Sequence, residues 1–131
     1  MDGNSASFLI TRPAFISTEM LSTKRIAILL SGRGSNLQSL LDASHADLLG
    51  GAISLVIANR PGAGGLEIAQ SAGIETALID HTAYVSREAF DRDLAATIET
   101  ISPDLVVLAG FMRILTTDFV ARFENRLMNI H

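Results

Sequence analysis

From residue 24 onward, apolar runs of strand length alternate with segments whose apolar residues recur at helical spacing. Arg25–Leu30 reads as a strand whose residues 26 to 30 are all apolar, the pattern of a strand covered on both faces. Ser31-Gly32-Arg33-Gly34 breaks it. Leu37, Leu40 and Leu41 then step by three and one, which predicts a helix from Ser35 to about Ala43. Ser35 and Gln38 stand in the S-x-x-Q spacing of a capping box. Gly50-Gly51 is a turn, Ala52–Ala58 a second strand, and Asn59–Gly64 a loop by its Pro and Gly content. A short helix is expected over Gly65–Ser71, stopped by Gly73, and a third strand over Glu75–Ile79. Asp80–Val85 is polar, with Asp80 and His81 read as loop residues. Ser86 should cap a longer helix carrying Phe90, Leu94, Ile98 and Ile101 on one face. Pro103 ends that helix. Asp104–Ala109 is a fourth strand and Gly110–Leu115 a loop. Thr117 is expected to cap a last helix with Phe119, Val120 and Phe123. Arg126–Ile130 reads as a fifth, buried strand.

Strands joined by helical crossovers build right-handed βαβ units. The fold class is therefore α/β, an open, mainly parallel Rossmann-like sheet with flanking helices. If the strand order is 3-2-1-4-5, the stretches after strands one and four lie side by side at the carboxyl edge, where such sheets bind ligands. Ser31–Asn36 and Gly110–Leu115 should then face one another across a cleft. Asn129 and His131, at the end of strand five, should border it.

Composition agrees with a covered sheet. The 131 residues are 48% apolar, with a mean hydropathy of +0.35, enough for one domain with a substantial core. Aromatics are only 5% and Trp is absent, so the core is aliphatic. The net charge of −4 carries no basic stripe of the kind that marks a nucleic-acid surface. The absence of Cys excludes disulfides, a thiolate nucleophile and Cys-based zinc sites. His45, His81 and His131 lack ligand spacing, so no metal is expected. Apolar runs fall well short of the roughly 20 residues that cross a bilayer, so no membrane partner is expected. Residues 1–23 differ from the rest, being rich in Ser and Thr and lacking the basic n-region of a secretory signal. They read as a disordered or loosely docked arm, with Met20 an alternative start and the cytoplasm the expected location.

Three stretches could carry chemistry. In Ser31–Asn36, glycines let backbone approach a ligand, and a helix start presents free N–H groups at the positive end of its dipole. That suits a phosphate; the plain alternative is a glycine turn with a capped helix. The third glycine of a dinucleotide fingerprint is replaced by Leu37, and Asn59 stands where its acidic residue is expected. A mononucleotide-like or sugar-phosphate ligand fits better than NAD. Arg87, at the start of a helix, could pair with an anionic substrate or be simply solvated. Gly110–Leu115 is too apolar for an exposed loop. Either Phe111 and Ile114 pack a strand-to-helix corner, or the loop presents backbone groups to a flat heteroaromatic ring. Finally, Asn129 and His131 lie two apart in a strand and so share a face. They could stabilise an oxyanion and move a proton, or be the polar end of a chain.

Ser31-Gly-Arg-Gly-Ser-Asn-Leu-Gln38, Val107-Leu-Ala-Gly-Phe-Met-Arg-Ile-Leu115 and Leu127-Met-Asn-Ile-His131 together resemble the phosphoribosylglycinamide formyltransferase family, in order and spacing, from about residue 24 onward. The resemblance implies the formyltransferase fold and transfer of a formyl group from 10-formyltetrahydrofolate to the amine of 5'-phosphoribosylglycinamide in purine synthesis. It implies that Gly34, Ser35 and Asn36 hold the phosphoribosyl substrate. Arg87, the backbone of Met112, Arg113, Ile114 and Leu115, and Asn129 would border the folate. Asn129 would steady the oxyanion and His131 handle the proton, with no metal. In that family further strands follow the Asn-x-His element, and among them is an aspartate that orients the histidine. Residues 24–131 thus read as an N-terminal portion with an incomplete folate pocket. Little or no transfer is expected from it alone, since a missing proton-transfer partner costs about 10²–10⁴-fold. An open edge on strand five would allow self-association. Formyltetrahydrofolate deformylase and formyltransferases acting on methionyl-tRNA or nucleotide sugars share the fold and the Asn-x-His element. The Gly-Arg-Gly-Ser-Asn and Phe-Met-Arg-Ile-Leu loops favour the purine enzyme. A non-catalytic module binding a phosphate ligand is the reading outside enzymes.

Overall fold

The computed structural model describes residues 24–45 and 50–130. The expected N-terminal arm and His131 lie outside the described residues. The elements run β1 (Lys24–Leu30), α1 (Ser35–His45), β2 (Gly51–Ala58), α2 (Gly64–Ser71), β3 (Glu75–Leu78), a 3-10 turn (His81–Ala83), α3 (Arg87–Glu99), β4 (Leu105–Ala109), α4 (Thr117–Arg122) and β5 (Leu127–Ile130). The five strands form one sheet in the order β3-β2-β1-β4-β5, and every pairing is parallel. The expected class and strand order both hold.

Alternation along the central strand explains the layering. Ile26, Ile28 and Leu30 join Leu37 and Leu41 of α1 and Ala69 of α2 on one face. Ala27 and Leu29 join Phe90, Leu94 and Ile98 of α3, Phe119 of α4 and Phe123 just past it on the other. Successive strand residues point to opposite faces, and both faces here are roofed by helices. That is why β1 reads as an unbroken apolar run. No helix among the described residues is long and apolar enough to cross a membrane.

Four local expectations are corrected. Ser35 is the first residue of α1, and the Gln38 side-chain amide donates onward to Asp42 at 3.2 Å instead of reaching back to close a capping box. The cap of α4 is Thr116, not Thr117: its hydroxyl accepts from Phe119 N–H at 3.2 Å. The Thr116 N–H itself donates to Asp91 Oδ2 at 2.6 Å, which holds Thr116 in the extended conformation just ahead of the helix. Val120 is exposed, because it lies one position off the face that buries Phe119 and Phe123. Lastly, β5 pairs only with β4 and forms the outer strand of the described sheet. Its Met128 and Asn129 are therefore exposed instead of buried. Ser86 does cap α3, accepting from Ala89 N–H at 3.0 Å.

Candidate active site at the carboxyl edge of the sheet

β1 ends at Leu30 and β4 at Ala109, and the two strands are neighbours. Directly beyond them, Ser31 N–H donates to Gly110 C=O at 3.2 Å, and Met112 N–H donates to Ser31 Oγ at 2.8 Å. These bonds join the two loops that were expected to meet.

The Ser31 hydroxyl itself donates to Asn59 Oδ1 at 2.7 Å. Asn59 N–H donates to Leu30 C=O at 3.3 Å. The Asn59 carbonyl accepts from His81 N–H at 3.2 Å and lies 2.9 Å from His81 Nδ1. A carbonyl can only accept, so Nδ1 carries a proton, and in the neutral ring Nε2 is the acceptor. Ser31 is 2% exposed and Asn59 1%. A polar row, buried at Ser31 and Asn59, thus links the stretches just past β1, β2, β3 and β4. By sequence alone, Asn59 and His81 are loop residues. The usable signal was positional: Ser31 and Asn59 are each the first polar residue after an apolar strand, and Leu30 pairs with Ala58 in register.

Within the Ser31–Asn36 loop, Gly34 is buried and has φ +87°. A Cβ there would stand 2.6 Å from the Gly65 Cα. Its lack of side chain thus serves the close approach of α2 to the start of α1, fastened by Gly65 N–H to Gly32 C=O at 3.2 Å. Gly65 is equally constrained, since a Cβ would lie 2.5 Å from Leu30 Cδ2. By sequence alone, this Gly64-Gly65 pair is only a loop end and a helix start. Ser35 is exposed and Asn36 half-buried in the first turn of α1. Gln38 N–H bonds Gly34 C=O at 2.9 Å, so the amides of residues 35 to 37 are of the kind a helix start leaves without an intrahelical acceptor. They sit at the positive end of the helix dipole, where an anion is stabilised.

In the facing loop, Gly110 turns the chain at φ +74°. Phe111 and Leu115 pack against the α3–α4 side of the core. Ile114, which one of the two readings of this loop packs inward with Phe111, is 71% exposed, and Met112 is 76% exposed. Phe111 and Leu115 are half-buried against that core, whereas Met112 and Ile114 between them are exposed. The Arg113 guanidinium lies 4.5 Å over the Phe90 ring, with its Nε buried and unpartnered. The side chain is turned back onto α3, while Met112 and Ile114 stay exposed.

Asn129 pairs with Leu108, one register step before the end of β4, so it borders the same edge. Arg87 opens α3 as an exposed residue. Among the described residues, no hydrogen bond or ion pair joins it to either loop. The site is an open surface. One cavity, of about 240 Å³, lies between α3 and α4 beside Asp91 and Arg122. Another, of about 310 Å³, lies at the opposite, amino end of β1 and β4. None of the expected site residues lines either one. Asp80 caps the 3-10 turn, accepting from Thr82 Oγ1 at 2.7 Å and Thr82 N–H at 3.0 Å. These bonds, helped by the neighbouring His81 charge, hold its carboxyl below the usual range. Among the described residues, no group of three or more His, Asp or Glu side chains is placed to hold a metal ion.

Residues 24–131 match the formyl transferase family model. The chain belongs to the formyl transferase family. A phosphoribosylglycinamide formyltransferase of Escherichia coli (strain K12) is 48% identical over 106 residues, covering 81% of this chain and 50% of that protein. The trifunctional purine biosynthetic protein adenosine-3 of Homo sapiens is 43% identical over 107 residues, covering 82% of this chain and 11% of that protein. Among solved structures, the phosphoribosylglycinamide formyltransferase of Coxiella burnetii superposes with a TM-score of 0.80 at 43% identity, covering 83% of this chain and 51% of that one. The chain spans about half the length of the curated formyltransferases it matches, and corresponds to their N-terminal portion.

Proposed function

We propose that this formyl transferase chain supplies the substrate loop and part of the catalytic edge for formyl transfer from 10-formyltetrahydrofolate to the amine of 5'-phosphoribosylglycinamide. One observation carries the reading: the Met112–Ser31 hydrogen bond sets an anion-favouring helix start beside a loop with two exposed apolar side chains. Ser35 and Asn36, with the backbone entering α1 at Gly34, take the phosphate. Met112 and Ile114 offer apolar cover to a flat heteroaromatic ring, with backbone donors and acceptors between them. Arg113 contributes through its backbone. Arg87 meets an anionic part of the folate only if that ligand reaches beyond the two loops.

In the reaction, a C–N bond forms between the glycinamide amine and the formyl carbon as the C–N bond to the folate breaks. The amine's proton passes to the folate nitrogen. Asn129 donates an N–H to the formyl oxygen as negative charge develops on it, and His131 moves the proton. Residues 24–131 alone have little or no transferase activity in this reading, because their relatives are about twice as long.

The test is a chimera joining residues 24–131 to the C-terminal half of the Escherichia coli relative. It should form formylated phosphoribosylglycinamide, and Asn129→Ala should reduce the rate about 10²–10³-fold. A folded chimera that releases formate from the folate without using the acceptor would point instead to a deformylase.

A further inference from the structure

We infer that Ser31 and Asn59 are positioning residues: a buried hydroxyl–amide pair that sets the spacing between the Ser31–Asn36 and Gly110–Leu115 loops. The inference rests on the proposed reading of those loops as the two ligand-facing stretches. The pair's hydrogen bonds have only one consistent direction. Met112 N–H can only donate, so Ser31 Oγ accepts it. The hydroxyl has one proton to give, and it goes to Asn59 Oδ1. That in turn fixes which way the Asn59 amide points. Asn59 is held by its own backbone, through N–H to Leu30 C=O and through the carbonyl that receives His81. The Met112 amide is thus tied through Ser31 to an Asn anchored at the ends of β1 and β3.

Both side chains are almost wholly buried, so they act through the loops and not on a ligand. Two substrates held by different loops must meet at near-attack distance, and a misplacement of about 1 Å can cost about 10²-fold. A hydroxyl and an amide shielded from water suit that task, because a buried hydrogen bond tolerates little displacement before a polar group is left unpaired.

Amide hydrogen exchange on the 131-residue chain, read residue by residue by NMR with and without phosphoribosylglycinamide, tests this. Ser31→Ala should speed exchange of the Met112 amide tenfold or more while β1 and β2 amides keep their wild-type rates. Ile98→Val, which thins the core under α3, should not single out Met112. Phosphoribosylglycinamide should slow Met112 exchange in the wild type, whereas in Ser31→Ala it should protect only residues 35 to 37. The inference is overturned if Ser31→Ala leaves Met112 exchange unchanged, or if the ligand protects Met112 equally in both proteins. Protection of neither loop in the wild type sinks the substrate reading instead, and ligand-free Met112 exchange still decides the pair's role.

Discussion

Met112 lies 81 residues beyond Ser31, yet its amide donates to the Ser31 hydroxyl across 2.8 Å. The contact exists because β1 and β4 are parallel neighbours that end level with one another, so the first residues past each strand meet. It makes one surface of two loops that the chain order keeps far apart.

Gly34 should not tolerate a side chain. At φ +87° and 2.6 Å from the Gly65 Cα, Gly34→Ala combines left-handed strain with a backbone clash. A loss of about 1–3 kcal/mol is expected, seen as a lower urea midpoint. An unchanged midpoint would show that the α1–α2 contact is looser than described.

Asp91 is 4% exposed, and its carboxylate accepts the Thr116 N–H that starts α4. Asp91→Ala should therefore cost about 1.5–3 kcal/mol and loosen α4 first. Thermal unfolding, with exchange rates at Phe119 and Val120, measures both effects. Equal loosening everywhere would argue against a local tether.

Asp80 carries a pH dependence of definite sign. Its carboxyl is depressed in the folded chain by the Thr82 hydroxyl and amide, so the turn's stabilisation is present above the unfolded aspartate pKa of about 3.9. It is lost as pH falls through the lower, folded value. The Thr82 amide shift should titrate with a midpoint below about 3.9 and lose that transition in Asp80→Asn. A midpoint at or above that value would remove the two bonds from the account.

Among the described residues, the outer strand β5 exposes Met128 at 48% beside backbone groups that pair on one side only. Such an edge invites pairing with another chain, and a lysine blunts it. Sedimentation velocity should show concentration-dependent self-association that Met128→Lys reduces. A wild-type monomer across the concentration range would contradict this.

Much of the fold was legible because the physics acting on it is short-range. Residues 26 to 30 are all apolar because helices cover both faces of β1, and Phe90, Leu94 and Ile98 keep helical spacing because α3 buries one stripe. The meeting of the Ser31–Asn36 and Gly110–Leu115 loops followed from strand order. What could not be read depended on partners distant in sequence. Thr116 caps α4 instead of Thr117 because Asp91 holds it, and Ile114 is exposed while Phe111 and Leu115 pack against the core. Asn59 and His81 looked like loop polarity. Their roles come from Ser31, which is 28 residues away from Asn59 in sequence and 2.7 Å away in space.

We propose that the start of α1 is a phosphoribosyl site on a formyl transferase sheet. Titrating the chain with phosphoribosylglycinamide while following amide NMR shifts tests it most directly. The account predicts shifts concentrated at Gly34, Ser35 and Asn36, smaller ones at Met112, and none beside Asp91 in the α3–α4 cavity. Shifts centred on that cavity, or none at residues 34 to 36 at saturating ligand, would contradict it.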